Sequence, residues 1–118
     1  MSKESGRIAE DKALDYLRNK GLTLSTRNYN CRVGEIDLIM RDKEYLVFIE
    51  VRSRSSMRFG GAIASITHAK RQKIMKATSF YLMTHKMYDK VPLRFDVVSI
   101  DGASGDITWL KDAFGADY

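Results

Sequence analysis

Two carboxylates occupy places where charge is ordinarily excluded: Asp37 lies within Gly34-Glu35-Ile36-Asp37-Leu38-Ile39 and Glu50 within Val47-Phe48-Ile49-Glu50-Val51-Arg52. Acids that converge from two apolar runs, with a cation such as Arg52 beside them, suit metal-assisted hydrolysis of a phosphodiester. Mg²⁺ or Mn²⁺ takes oxygen ligands, commonly one or two carboxylates completed by waters and substrate phosphate. Such an ion polarises the phosphoryl oxygen and lowers the pKa of the attacking water. Acids repel a phosphate unless a cation intervenes, so acids beside a basic stretch imply a metal. Spacing alone also fits a surface hairpin with solvated acids and a salt bridge.

The basic stretch is long. From Val51 to Tyr88 no residue is acidic, while Arg52, Arg54, Arg58, Lys70, Arg71, Lys73, Lys76 and Lys86 carry +8, against +5 for the whole chain. An uncompensated block of this kind is the footprint of a phosphate-backbone partner, the alternative being a merely solvated basic face.

The elements that must position these residues follow from periodicity. Ser5 can cap a helix that runs to about Asn19 and stops at Gly21. Ala13, Leu14 and Leu17 form its apolar stripe, and Glu10 falls in the same stripe, either as a functional acid or as one whose carboxylate bends out to water. Leu22 to Leu24 reads as a strand and Arg27 to Asn30 as a turn-rich connection. The apolar runs 35–40 and 45–51, joined by Arg41 to Glu44, form a hairpin whose strands are covered on both faces. A turn centred on Lys43-Glu44 pairs residues whose numbers sum to 87, which sets Asp37 opposite Glu50 and Glu35 opposite Arg52. With period-two alternation, Glu35 would then share a face with Asp37. A second helix spans roughly Thr67 to His85, with Lys70 on its apolar stripe and Lys73 at its flank. Strands follow at 93–100 and 107–110. The expected order is α-β-β-β-α-β-β, an α/β (α+β) sandwich with a mixed central sheet flanked by helices.

The chain of 118 residues fits one domain, 1–118, and its 44% hydrophobic and 30% charged residues argue against disorder. With one cysteine, Cys31, and two histidines, there is neither an internal disulfide nor a zinc cluster to expect. No window is apolar enough for a membrane span and the N-terminus is polar, so the expectation is a cytoplasmic protein with no membrane partner.

The motif at Gly34 to Ile39, that at Val47 to Arg52, Lys70 with Lys73-Ile74 and Ala77, and Arg94-Phe95-Asp96-Val97-Val98 together resemble the bacterial YraN family. That family is similar to archaeal Holliday-junction resolvases, within the PD-(D/E)XK, restriction-endonuclease-like superfamily. The similarity runs from Glu10 to about Ile100. It implies a restriction-endonuclease-like fold and an endonuclease acting on DNA, branched or structured DNA included. It implies Asp37 and Glu50 as metal ligands, with the Val51 carbonyl completing the shell, and Glu10 as the first-helix acid. Lys70 corresponds to the residue that the second helix brings to the site. Arg54, Arg58, Arg71, Lys73 and Lys76 are then expected to hold the nucleic-acid backbone.

One position departs from the superfamily. Arg52 stands where lysine is usual, and arginine does not deprotonate, so it can neutralise phosphate charge but cannot act as a base. A second reading is therefore a nucleic-acid-binding module that keeps the nuclease fold without efficient chemistry, and a third is a protein-interaction domain. A homodimer would suit cutting two strands.

Overall fold

The computed structural model describes residues 3–54, 66–87 and 90–115, with the backbone alone at 3–5 and 54. Its elements are α1 (Lys3–Asn19), β1 (Thr23–Cys31), β2 (Gly34–Asp42), β3 (Tyr45–Arg54), α2 (His68–Thr84), β4 (Leu93–Asp101) and β5 (Ile107–Leu110). The element order matches the expectation.

The strands form one sheet in chain order. β1, β2 and β3 are antiparallel neighbours, β4 lies parallel to β3, and β5 closes antiparallel to β4. A parallel neighbour requires a crossover, and α2 supplies it. The helices cover opposite faces. Ala9, Ala13, Leu14 and Leu17 of α1 pack on Leu38, Met40, Val47, Ile49, Val51, Val98 and Ile100. Ile74, Ala77, Tyr81 and Leu82 of α2 pack on Ile36, Ile39, Leu46, Phe48, Phe95, Val97 and Phe114. Strands buried on both sides must be apolar at nearly every position, which is why β2 and β3 read as unbroken runs. No helix of the described residues is long and apolar enough to cross a membrane.

Local signals behave as their chemistry dictates at several ends. Gly21, at φ +100°, ends α1, and the Leu22 amide donates back to the Leu17 carbonyl at 3.1 Å. Thr67 caps α2 by accepting from the Lys70 amide at 3.1 Å. Helix α1 takes in Ser5 rather than starting beyond it, since Lys3 and Glu4 have good helix propensity and an acid is favoured in a first turn.

The larger correction concerns β1. Arg27 to Asn30, expected as a connection, is strand paired with β2 through Arg27↔Leu38, Tyr29↔Ile36 and Asn30↔Glu35. The turn lies instead at Arg32-Val33, between Cys31 and Gly34. Asn28 keeps a trace of turn chemistry in its φ of +54°, a conformation asparagine tolerates better than most residues. Gly34 allows this hairpin to approach α2, because a Cβ there would lie 3.0 Å from the Lys73 carbonyl oxygen.

Candidate active site

The β2–β3 ladder has the expected register, from Asp42↔Tyr45 to Leu38↔Ile49. At its far end the pattern changes. Ile36 packs in the α2 cluster and Leu38 in the α1 cluster although they are two residues apart, so β2 rolls about its axis at Asp37. There the Asp37 Oδ2 accepts from the Val51 amide at 2.8 Å, a side chain doing what a strand carbonyl would otherwise do. This sets Asp37 between the two layers.

Glu50 faces the α2 layer and is 6% exposed. Its carboxyl faces that of Asp37, and its Oε2 stands 3.7 Å from Lys70 Nζ with no hydrogen-bond partner among the described residues. Burial first, then the hydrogen bond and charge of Asp37, push Glu50 up to about 9, with Lys70 and Arg52 pulling the other way. Glu10 arrives from α1. Its pKa is raised by burial and by the charge of Asp37, and Arg27 opposes this from 3.5 Å.

The structure thus brings together five expected residues: Glu10, Asp37, Glu50, Arg52 and Lys70. Arg52 interacts with Glu50, and its buried Nε has no hydrogen-bond partner among the described residues. Glu35 does not join them. It is exposed and pairs with Asn30, because the β2–β3 ladder ends at Leu38 and the period-two extrapolation fails at the roll. The third carboxylate is Glu10, which faces Asp37 from α1 without converging on one point with Asp37 and Glu50.

Two grooves flank the β1–β2 hairpin, with Asn30 and Glu35 lining both. One, of about 770 Å³, is bordered by Arg7, Glu10, Asn28 and Asp37. The other, of about 420 Å³, is bordered by Arg32, Lys70 and Lys73. Of the expected backbone contacts, Lys73 lines the second groove and Lys76 is exposed on α2. Arg71 is turned inward, its guanidinium 5.8 Å from the Phe114 ring. Arg58 and the Arg54 side chain lie outside the described residues. Arg27 escaped the sequence reading because it sat in the supposed turn. Its Nη2 bonds Asp11 at 2.7 Å and the Arg7 carbonyl at 3.3 Å, fastening the Glu10 turn of α1 to the sheet.

Other candidates are structural. Asp96, fully buried on β4 beside Ile49 of β3, accepts from Arg94, from Trp109 Nε1 at 2.8 Å and from the Asp112 amide at 3.0 Å. His85 caps α2 and stacks on Tyr81 at 4.0 Å. The Cys31 thiol donates to the Gly34 carbonyl at 3.4 Å within the hairpin.

The sequence profile of Uncharacterised protein family UPF0102 matches residues 9–100. The chain belongs to the UPF0102 family. That span takes in Glu10, Asp37, Glu50, Arg52 and Lys70, and it is the family that the sequence motifs resemble under the name YraN. A UPF0102 protein of Legionella pneumophila (strain Corby) is 62% identical over 116 residues, covering 98% of each chain. A UPF0102 protein of Nitrosococcus oceani is 51% identical over 95% of this chain and 92% of its own. A third UPF0102 protein, from Ralstonia pickettii, is 49% identical, with 96% and 91% covered.

As to a metal, no three His, Cys, Asp or Glu side chains among the described residues converge on one point. The acidic pair nevertheless fits a hard cation that keeps waters: two adjacent carboxyls, one of them buried with an oxygen that has no hydrogen-bond partner among the described residues.

Proposed function

We propose that this UPF0102 protein is a metal-dependent endonuclease-like enzyme acting on DNA in the cytoplasm, with the restriction-endonuclease-like fold and a kinship to Holliday-junction resolvases. The observation that carries the reading is the pairing of the half-buried Asp37 with the buried Glu50. Glu50 Oε2 lies 3.7 Å from Lys70 Nζ with no hydrogen-bond partner among the described residues, and the pair is flanked by one groove lined with acids and amides and another lined with cations. A buried polar atom left unpaired is costly, and a site that tolerates it is built for something that arrives later.

Asp37 and Glu50, with the Val51 carbonyl, would hold Mg²⁺ or Mn²⁺, whose chemistry is to polarise the phosphoryl oxygen and acidify a water. Asp37 is fixed for this by the Val51 amide. Glu10, tied by Arg27, adds negative charge on the α1 side. Lys70 and Arg52 neutralise charge that develops on the phosphate, and Lys73 and Arg32 hold the backbone beyond it. Arg52, always charged, positions rather than deprotonates the water.

Arg52 also favours a second reading, a DNA-binding module without turnover. One experiment separates the two: labelled duplex, single-stranded and four-way-junction DNA with Mg²⁺, Mn²⁺ or EDTA, using wild type, Asp37→Asn and Arg52→Lys. Asparagine can still accept from the Val51 amide, so this variant keeps the fold. Metal-dependent cleavage lost in Asp37→Asn establishes the enzyme. Salt-sensitive binding with no cleavage in wild type, and cleavage on restoring lysine, establishes the module.

A further inference from the structure

At the opposite end of the sheet from Asp37 and Glu50, a groove of about 460 Å³ opens between the β2–β3 turn, the C-terminal end of α1 and the end of β5. Deep in it lies Arg94, whose side chain is 12% exposed. Its Nε donates to Asp96 at 2.9 Å, and its Nη2 donates to Asp96 and to Asp42, each at 2.9 Å. The guanidinium lies 5.5 Å from the Tyr45 ring and 5.9 Å from the Trp109 ring. It therefore serves as a spacer between two aromatics. Trp109 is held in orientation by its bond to the buried Asp96 carboxylate and by an edge-on contact with Tyr16.

A brace for the end of the sheet would need nothing further, yet the groove collects more. Lys20, Lys43 and Lys111 all line it, and none makes an ion pair among the described residues, although Glu44 also borders the groove. Three ammonium groups around one opening repel one another until an anion arrives. Trp109 is half-buried, and Lys111 Nζ lies 4.4 Å from the centre of its ring, so a group that stacks there in place of the lysine side chain meets a positive charge at once. Preset aromatic rings interleaved with lysines are what single-stranded nucleic acid needs: every base has a face to stack, and every nucleotide a charge to neutralise.

We propose that this groove is a second nucleic-acid contact, in which a single-stranded segment stacks its bases on Trp109 and Tyr45 and sets its phosphates against Lys20, Lys43 and Lys111. The inference rests on the nucleic-acid reading above and extends it to a substrate long enough to reach both ends of the sheet. Asp37 and Asp42 are five residues apart on β2, about 17 Å of strand. That is about five nucleotides at the spacing of a duplex strand.

Trp109 is the chain's single tryptophan, so the site carries its own reporter. The full chain in EDTA is titrated with an oligothymidylate of about twelve nucleotides, long enough to span the two sites, while anisotropy of the same labelled oligomer reports total binding. The expected result is saturable quenching of Trp109 with the midpoint seen by anisotropy. Tyr45→Ala, at an exposed ring, should weaken binding about tenfold. The Lys20→Gln, Lys43→Gln, Lys111→Gln triple variant should lower the slope of log affinity against log salt by about 2. Binding seen by anisotropy with unchanged tryptophan emission overturns the second contact and leaves the nuclease reading standing. Equal quenching by thymidine monophosphate at the same concentration overturns the strand in favour of a nucleotide pocket. Absence of binding by either method overturns both readings. Quenching without metal-dependent cleavage keeps this contact and rejects the enzyme.

Discussion

Replacing Glu50 by glutamine should stabilise the metal-free protein. Glu50 ionises near its ordinary value of 4.5 in the unfolded chain and near 9 in the folded one, because it is buried against Asp37. Between those values the folded state holds a proton that the unfolded state has released, so stability falls as pH rises through the window; below 4.5 the effect vanishes. Each pH unit contributes about 1.4 kcal/mol, which makes the cost at pH 7 up to about 3 kcal/mol. Glutamine never ionises, and its amide can donate to Asp37 as the protonated acid does. Loss of the Lys70 contact offsets less than about 1 kcal/mol, since that lysine side chain is 33% exposed. The variant should therefore melt up to about 10 °C higher than wild type at pH 7 and no higher at pH 4. The assay is thermal unfolding followed by circular dichroism in EDTA from pH 4 to 9. A variant no more stable than wild type at pH 7, or a gain that does not grow with pH, would refute the reasoning.

Two further outcomes concern the scaffold. Arg94→Met strips the buried Asp96 and its neighbour Asp42 of their cation, leaving Asp96, among the described residues, with the Trp109 and Asp112 donors. It should cost about 3–5 kcal/mol by urea unfolding, and a loss under about 1 kcal/mol would contradict the network's role. Gly34→Ala places a methyl 3.0 Å from the Lys73 carbonyl and should destabilise by about 1–3 kcal/mol, with an unchanged melting temperature arguing that the hairpin moves aside freely.

Much of the site was readable in one dimension where local rules coincide with tertiary ones. The register of β2 and β3 follows from two apolar runs and a short connection, and Glu10 betrays itself as an acid within an apolar helical stripe. What escaped depends on partners distant in sequence. Nothing near Arg27 says that it will bond Asp11 and the Arg7 carbonyl, and nothing in α2 says that Arg71 will lean on Phe114. Glu35 was misplaced for a different reason: alternation is a property of a regular strand, and β2 stops being regular at Asp37, where a carboxylate replaces a ladder bond.

The residues that made β1 look like a loop have a use of their own. β1 and β5 are the two outer strands, and an outer strand with a free row of amides and carbonyls invites another molecule to add to it. β5 is only four residues long. β1 is nine, but its register slips between Leu24 and Thr26 and its backbone turns left-handed at Asn28, so it presents no straight template. Side chains that cost the strand regularity thus guard it against edge-to-edge aggregation.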